Sequence, residues 1–552
     1  MAQIPKTLQV DPRDNVLVAL QDLPQGEQVE TKEGILTLQA KVPAKHKFNV
    51  QRLPQGAPIV MYGVTVGKAT NEIAAGTLLT QGNVHHATDA YQGRQSQLDW
   101  EKPDFQEFVG KQFLGFKRKN GQVGTRNYWL VIPLVFCENR NVDVLKEVLL
   151  KGLGYESPHP YQIDLQQLVD LYKRGESEST LRATDLLATG EHHQKNRIFP
   201  NVDGIKFLNH QGGCGGTRQD SESLCRLLAG YITHPNVAGA TVLSLGCQNA
   251  QIQLLKDSIQ ALEPDFDKPV FYLEQQASRS VPTYLEDAIK QTFIGLMQAD
   301  QAKREAFPLS EISLGLECGG SDGFSGISAN PTVGGVSDLL VSLGGKAILS
   351  EFPELNGVEQ ELINRCETDA LAEKFTNLMR TYASRAEAVG SGFDMNPSPG
   401  NIKDGLITDA MKSAGAAKKG GSSPITDVLD YTEPARKAGL NLLCTPGNDV
   451  ESTTGLAGSG ANLIVFTTGL GTPTGNPIVP VIKVSSNHSL SQRMADIIDW
   501  DTGDVIEGRQ SIEGSAQGLL QYLISVASGE QQTKAEQLNQ DDFIPWKRGV
   551  SL

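Results

Sequence analysis

Ile312-Ser313-Leu314-Gly315-Leu316-Glu317-Cys318-Gly319-Gly320-Ser321-Asp322-Gly323 is the stretch that decides the fold. A short apolar run ends in an acid, a thiol, two glycines, a hydroxyl and a second acid. Such a run, bounded by glycine, reads as a strand buried on both faces, the pattern of a parallel sheet. In open parallel sheets the ligand lies beyond the carboxyl ends of the strands. Glu317 to Asp322 therefore stand where chemistry is expected, and the glycines let backbone approach a ligand closely.

The same pattern recurs in both directions. Upstream lie the runs Tyr128–Phe136, Gly204–Leu208, Ala240–Leu245 and Val270–Leu273; downstream lie Ala347–Leu349, Leu440–Leu443, Leu463–Phe466 and Val479–Val484. Amphipathic helical stretches such as Asp220–Tyr231 and Glu367–Ala388 fall between them. This alternation predicts two Rossmann-like, doubly wound α/β units. A polar group follows almost every run: Cys137-Glu138-Asn139, His210 to Cys214, Cys247-Gln248-Asn249, Ser350-Glu351, Thr445-Pro446-Gly447, Thr467-Thr468-Gly469 and Ser485-Ser486-Asn487. The series predicts one large polar site at the strand ends.

Residues 14–90 carry a different pattern, short alternating runs between turn signals such as Pro24-Gln25-Gly26 and Pro54-Gln55-Gly56, which reads as all-β. The expected organisation is a β-rich unit over 10–90, a polar linker over 91–107, a middle α/β unit over 108–304 and a C-terminal α/β unit over 305–552. Residues 155–200 read as a polar insertion or lid, and 412–424 as a basic, glycine-rich loop.

With 552 residues the chain is too long for one core. Its net charge of −15 argues against nucleic acid or an anionic membrane as partner. An acidic substrate then needs a local cation. No apolar run approaches the ~18 residues of a membrane span, and Met1 to Asp14 lack the apolar core of a signal peptide, so a cytoplasmic protein is expected. The seven cysteines form no Cys-x-x-Cys pair and are expected to be thiols. Cys225, Cys366 and Cys444 read as packing residues.

Several residues are candidates on local grounds. His210 and Cys214 read either as a metal pair or as an ordinary loop. One of His85 and His86 can serve as ligand or base, since neighbours on an extended segment face opposite ways. Arg126 suits bidentate capture of a carboxylate. His234, before Pro235, reads as surface, and His192 and His193 as solvated.

The chain resembles the altronate/galactarate dehydratase family. The residues that carry the resemblance are Gly115-Phe116-x-Arg118 with Gly124-Thr125-Arg126-Asn127, Gly213-Cys214-Gly215, Leu245-Gly246-Cys247, Glu317 to Gly326 with Ala329-Asn330-Pro331, Gly345 to Glu351, Asn396 to Asn401, Thr445-Pro446-Gly447 and Gly460 to Gly469. The resemblance makes residues 10–90 a small β-clip (SAF-like) domain. The stretch Ala347 to Glu354 is more similar to the altronate branch than to the galactarate branch.

The family implies a hydro-lyase that uses a divalent metal, Fe²⁺ or Mn²⁺, and turns D-altronate into 2-dehydro-3-deoxy-D-gluconate; galactarate or another hexonate or hexarate is the alternative substrate. On this basis one of His85 or His86, with Cys214 and Cys318 or Glu351, is expected to bind the metal. Arg126 and Asn127 would hold the substrate carboxylate, and Ser321, Asn330, Thr467 and Thr468 would read hydroxyls. His46, His210 or Asp322 would be the base. A homo-oligomer is compatible with this reading. Two alternatives stand beside it: an iron–sulfur cluster on Cys137, Cys214 and Cys318, and a sugar-acid binding or regulatory protein without turnover.

Overall fold

Val, Ile and Leu crowd the runs singled out above, and each run becomes a parallel strand. The structure is a computed structural model that describes residues 5–32, 34–96, 98–156, 163–187 and 196–551. In the middle unit, Tyr128–Pro133 (β1), Gly204–Phe207 (β2), Val237–Ser244 (β3) and Val270–Glu274 (β4) form a parallel sheet in the order β2-β1-β3-β4. All six positions of β1 and all eight of β3 are buried, which explains their continuous apolar runs.

The C-terminal unit holds Ser313–Cys318 (β5), Lys346–Leu349 (β6), Ile425–Leu429 (β7), Gly439–Leu443 (β8), Leu463–Thr468 (β9), Val481–Ser485 (β10) and Trp500–Asp501 (β11). They make one seven-stranded parallel sheet, β7-β8-β6-β5-β9-β10-β11. Strand order reverses between β1 and β3 in the first sheet and between β5 and β9 in the second. Crevices for ligands open at such reversals. Cys318 and Thr467 pair across the second one. The sequence reading lacked β7, where Thr426 and Asp427 interrupt the apolar run, and the two-residue β11.

The N-terminal unit consists of short antiparallel strands, among them Val16–Ala19 against Lys47–Asn49 and Pro58–Met61 against Val64–Ala69. Its Val16, Ile59 and Val66 share one apolar core with Leu316, Leu349 and Phe352. Polar contacts reinforce the docking. Lys45 Nζ lies 3.0 Å from Asp322 Oδ2, Lys47 Nζ donates to Gly405 O at 2.8 Å, and Thr408 Oγ1 donates to Val66 O at 2.7 Å. Burial pushes the Lys47 ammonium down to about 7. The segment expected as a linker lies along the C-terminal unit, with Arg94 Nε on Asp369 Oδ1 at 2.8 Å and Trp100 Nε1 on Ser422 Oγ at 3.2 Å.

Two expectations are corrected here. The basic stretch 412–424 is not simply a loop: helix Asp409–Ala416 continues into a 3-10 turn over Ala417–Gly420. Thr408 caps the helix. Gly415 is tolerated inside it because its backbone is pressed against Gly326 and Tyr62. His234 is not on the surface: it is buried, with Nε2 on Ala461 O at 2.9 Å and Nδ1 accepting from Asn236 N at 3.0 Å.

Residues 165–183 of the expected insertion carry two short helices, Leu165–Lys173 and Glu178–Ala183. His192 and His193 lie outside the described residues. No helix among the described residues is long and apolar enough to cross a membrane.

Candidate active site

The carboxyl end of β5 delivers Glu317 and Cys318, the end of β6 delivers Ser350 and Glu351, and the turn Phe352–Leu355 delivers Glu354. These acids and the thiol are buried. Helix Asp409–Ala416 and its 3-10 extension bring Lys412 and Lys419 to these acids. Their spacing of seven places both on one helical face.

Lys419 Nζ sits 2.6 Å from Glu351 Oε2 and 2.7 Å from Cys318 Sγ. Lys412 Nζ pairs with Glu354 Oε1 and donates to Asn396 Oδ1 at 3.1 Å. Cys318 Sγ donates to Glu354 Oε2 at 3.2 Å, and Cys318 N to Glu351 Oε2 at 3.0 Å. Glu317 Oε2 accepts from Ser350 Oγ at 2.9 Å and Ser452 Oγ at 2.6 Å. Glu317 Oε1 and Glu351 Oε1 are buried and have no hydrogen-bond partner among the described residues.

Burial, followed by the charge of Glu351, pushes Glu317 well above the usual carboxylate range. Glu317 is therefore a neutral acid. Burial also drives the Cys318 thiol well up, helped by Glu351 and Glu354. Glu354 goes the other way: burial opposes its charge, but Lys412 and Lys419 outweigh that and hold it below the ordinary range. Both lysines are held up against burial by the surrounding acids and stay charged. Asp449 opens helix Asp449–Gly458, and a methyl on Gly319 would come within 2.3 Å of its Oδ2. Burial, with Glu351 and Glu354 nearby, raises Asp449 to about 7, a value suited to proton exchange near neutral pH.

Glu351 itself has φ of 65°, a left-handed conformation that costs a non-glycine residue about 1–3 kcal/mol. Thr445 Oγ1 holds it there by accepting from its N–H at 2.8 Å. Backbone strain of this kind collects at functional sites.

Three stretches match family descriptions: residues 5–87 match the altronate/galactarate dehydratase SAF domain, 115–300 the D-galactarate dehydratase/altronate hydrolase second domain, and 309–551 the D-galactarate/altronate dehydratase C-terminal domain. The altronate dehydratase of Escherichia coli K12 is 32% identical over 98% of each chain, and that of Bacillus subtilis 168 is 32% identical over 99% of each. The L-threo-forming galactarate dehydratase of Escherichia coli K12 is 29% identical over 96% of this chain and 94% of its own. The chain belongs to the altronate/galactarate dehydratase family. It is a hydro-lyase of the sugar-acid dehydratases.

The family resemblance implied a metal, and the structure tests the ligand set. Cys318, Glu351 and Glu354 offer ligand atoms within 4.8 Å of one another. The cation position, however, is filled by Lys419 Nζ, which sits between Glu351 Oε2 and Cys318 Sγ. This set fits an ammonium, not a divalent ion. His85, His86 and Cys214 do not join it. His85 is exposed, His86 is half-buried with Nδ1 accepting from Ala410 N at 3.4 Å, and Cys214 belongs to the middle unit.

The expected carboxylate clamp is also corrected in this dehydratase. Arg126 Nε and Nη2 are spent on Glu536 at 2.8 and 3.0 Å, and Nη1 donates to Thr125 O and Val526 O. Asn127 Nδ2 donates to Asn201 O and Ala299 O, and its Oδ1 accepts from Arg118. Both precede β1, at the sheet end opposite the expected ligand.

Among the expected bases, His210 is buried and its Nε2 lies 2.7 Å from Pro133 O while Nδ1 accepts from Gly212 N. Burial lowers it to about 4. Asp322 accepts from Phe324 N, Ser325 N, Ser325 Oγ and Ser486 Oγ on one oxygen, and from Asn487 Nδ2 on the other, which also faces Lys45. Its lone pairs are committed, so it is not poised as a base. His46 is half-buried beside Lys45, with Nδ1 3.1 Å from Ala44 O.

Of the expected hydroxyl readers, Thr467 Oγ1 donates to Asn330 Oδ1 at 2.6 Å and Asn330 Nδ2 to Gly415 O at 3.0 Å, which ties β9 to the lysine helix. Thr468 Oγ1 caps the turn at Gly471. Ser321 Oγ is buried without a partner among the described residues.

Proposed function

We propose that this chain dehydrates D-altronate to 2-dehydro-3-deoxy-D-gluconate at the acid–lysine cluster of the seven-stranded sheet. The observation that carries the reading is the cluster itself: Lys412 on Glu354, and the buried Lys419 on Glu351 and Cys318, beside the acids Glu317 and Asp449, both raised above the ordinary range. An aldonate loses a weakly acidic proton next to its carboxylate, so negative charge builds up as the proton leaves and must be met by preorganised cations. Lys412 has three donors, of which two are spent on Glu354 and Asn396; the third is assigned to the substrate carboxylate. Asp449 takes the proton, and Glu317, the neutral carboxylic acid of the cluster, gives one to the departing hydroxyl.

The assay offers D-altronate, galactarate and other hexonates to the protein and measures 2-keto acid. D-altronate should react fastest. Faster galactarate turnover removes the altronate assignment, and no product from any sugar acid favours a binding protein instead.

Asp449→Asn tests the base. A base must be ionised, so wild-type kcat should rise with pH through about 7. The variant should lose that limb and about 10²–10⁴-fold in kcat; an unchanged pH profile removes Asp449 from the reaction. The sign for stability is opposite. The folded-state value lies above the unfolded one, so this group's contribution is full below the unfolded value and is lost as pH rises through about 7. Asp449→Asn should flatten that decline in urea titrations.

A further inference from the structure

Four of the seven cysteines, Cys225, Cys318, Cys366 and Cys444, are buried, as thiols usually are. The other three, Cys137, Cys214 and Cys247, are exposed. They follow β1, β2 and β3, which are neighbours in the four-stranded sheet. All three therefore stand at the same, carboxyl end of one sheet, at the reversal between β1 and β3 where a ligand is expected.

The loops that bear them are in contact. Phe136 N donates to Gly212 O at 3.1 Å, joining the first loop to the second. Asn249 N and Ala250 N both donate to Gly213 O, at 3.0 and 3.1 Å, joining the third to the second across the end of β1. Gly213 has φ of 95°, and a Cβ there would lie 2.1 Å from Leu134 O. Only glycine allows the Cys214 loop to press this closely on the Cys137 loop. Gly215 and Gly246 also have positive φ, 69° and 123°. Gln276 Nε2 donates to Cys247 Sγ at 3.4 Å. Beside Cys137, the buried Glu138 leaves Oε1 without a partner among the described residues. Cys214 lies on the wall of a cleft of about 660 Å³.

The three sulfurs are not all within 4.8 Å of one another. A single tetrahedral ion with bonds of about 2.3 Å needs its sulfurs closer than that. A cubane cluster spaces its thiolates further apart and matches ligands on strands about 4.8 Å apart. Cys318, which the sequence alone grouped with Cys137 and Cys214, ends a strand of the other sheet and is bonded to Lys419 and Glu354. The geometry points to Cys137, Cys214 and Cys247 as the thiolate ligands of a four-iron, four-sulfide cluster, with the fourth iron open to a small ligand at the sheet end.

Uptake from a synthetic four-iron, four-sulfide thiolate complex is a ligand exchange. Three protein thiols give up their protons, three synthetic thiolates leave as thiols, the fourth iron keeps its exchangeable ligand, and no electron is gained or lost. The full-length protein is incubated with this complex without oxygen, desalted, and analysed for iron, acid-labile sulfide and visible absorption. Iron and sulfide should bind in equal amounts, with the broad visible band of a cluster. C137S, C214S and C247S should each lose most of that uptake while keeping the wild-type circular dichroism, and C366S, whose thiol donates to Leu362 O, should keep it. Protein that binds no sulfide overturns the proposal, as does iron without sulfide or uptake that survives C214S. If the colourless protein still turns over altronate, the dehydration reading stands and the cluster falls.

Discussion

Lys419→Met should cost about 3–5 kcal/mol of stability and bring dehydration below detection, because it strips the positive charge from a buried set of acids. Lys419 is 1% exposed and touches both Glu351 Oε2 and Cys318 Sγ. Methionine fills a similar volume, so the loss reports charge rather than a cavity. Glu351 is buried just as deeply and would be left with an uncompensated charge, or would have to take up a proton. The double variant Lys419→Met/Glu351→Gln removes both charges. It should recover a large part of the stability in urea titrations but none of the activity. A single variant as stable as wild type shows that Lys419 is not holding the acids together. An active one removes it from the charge-stabilising role.

The strand ends were legible because their physics is local: a run buried on both faces must be apolar, and a ligand crevice must be polar and small. Hence Glu317, Cys318, Ser350 and Glu351 were visible as strand-end residues, though in one series with Cys137, His210 to Cys214 and Cys247, which the structure places on the other sheet. Lys412 and Lys419 were not, because the glycines between and after them imitate a loop. Gly415 sits inside a helix because a side chain there would press on Gly326 and Tyr62, a contact between residues far apart in the chain. The seven-residue spacing of the lysines was the available signal. Asp449 was hidden for another reason: an acid at the start of a helix has an ordinary explanation in the helix dipole, and only the neighbouring acids make it unusual. The thiols show the same limit. The sequence grouped Cys318 with Cys137 and Cys214; strand order puts Cys318 on the other sheet and Cys247 beside them.

Arg126 is the sharpest case, and its expected behaviour differs from that of a substrate clamp. A guanidinium beside Gly124, Thr125 and Asn127 has the chemistry to hold a carboxylate, and it does hold one. That carboxylate is Glu536, on the short helix Lys534–Gln537, whose capping box with Thr533 orients the acid. Arg126 Nη1 also donates to Val526 O, so one side chain fastens the start of β1 to the end of the chain.

Arg126 is buried and Glu536 is largely so, with 13% of its side chain exposed; the arginine is held above its ordinary value against burial, chiefly by Glu536, and Glu536 is held below its own against burial, chiefly by Arg126. Arg126→Ala leaves the largely buried Glu536 carboxylate without its cation, with only Tyr128 and Thr533 still donating to it, at a cost of about 3 kcal/mol. The unfolding midpoint should fall accordingly, while KM for the sugar acid, measured on the folded fraction at low temperature, should stay at the wild-type value. Glu536→Gln should show a similar loss. The double variant should lose less than the sum of the two, since each change removes the same pair. A substrate clamp would give the reverse, a raised KM with the midpoint unmoved, and Glu536→Gln would then leave KM alone. The comparison therefore decides whether the carboxylate that Arg126 grips is the substrate's or the protein's own.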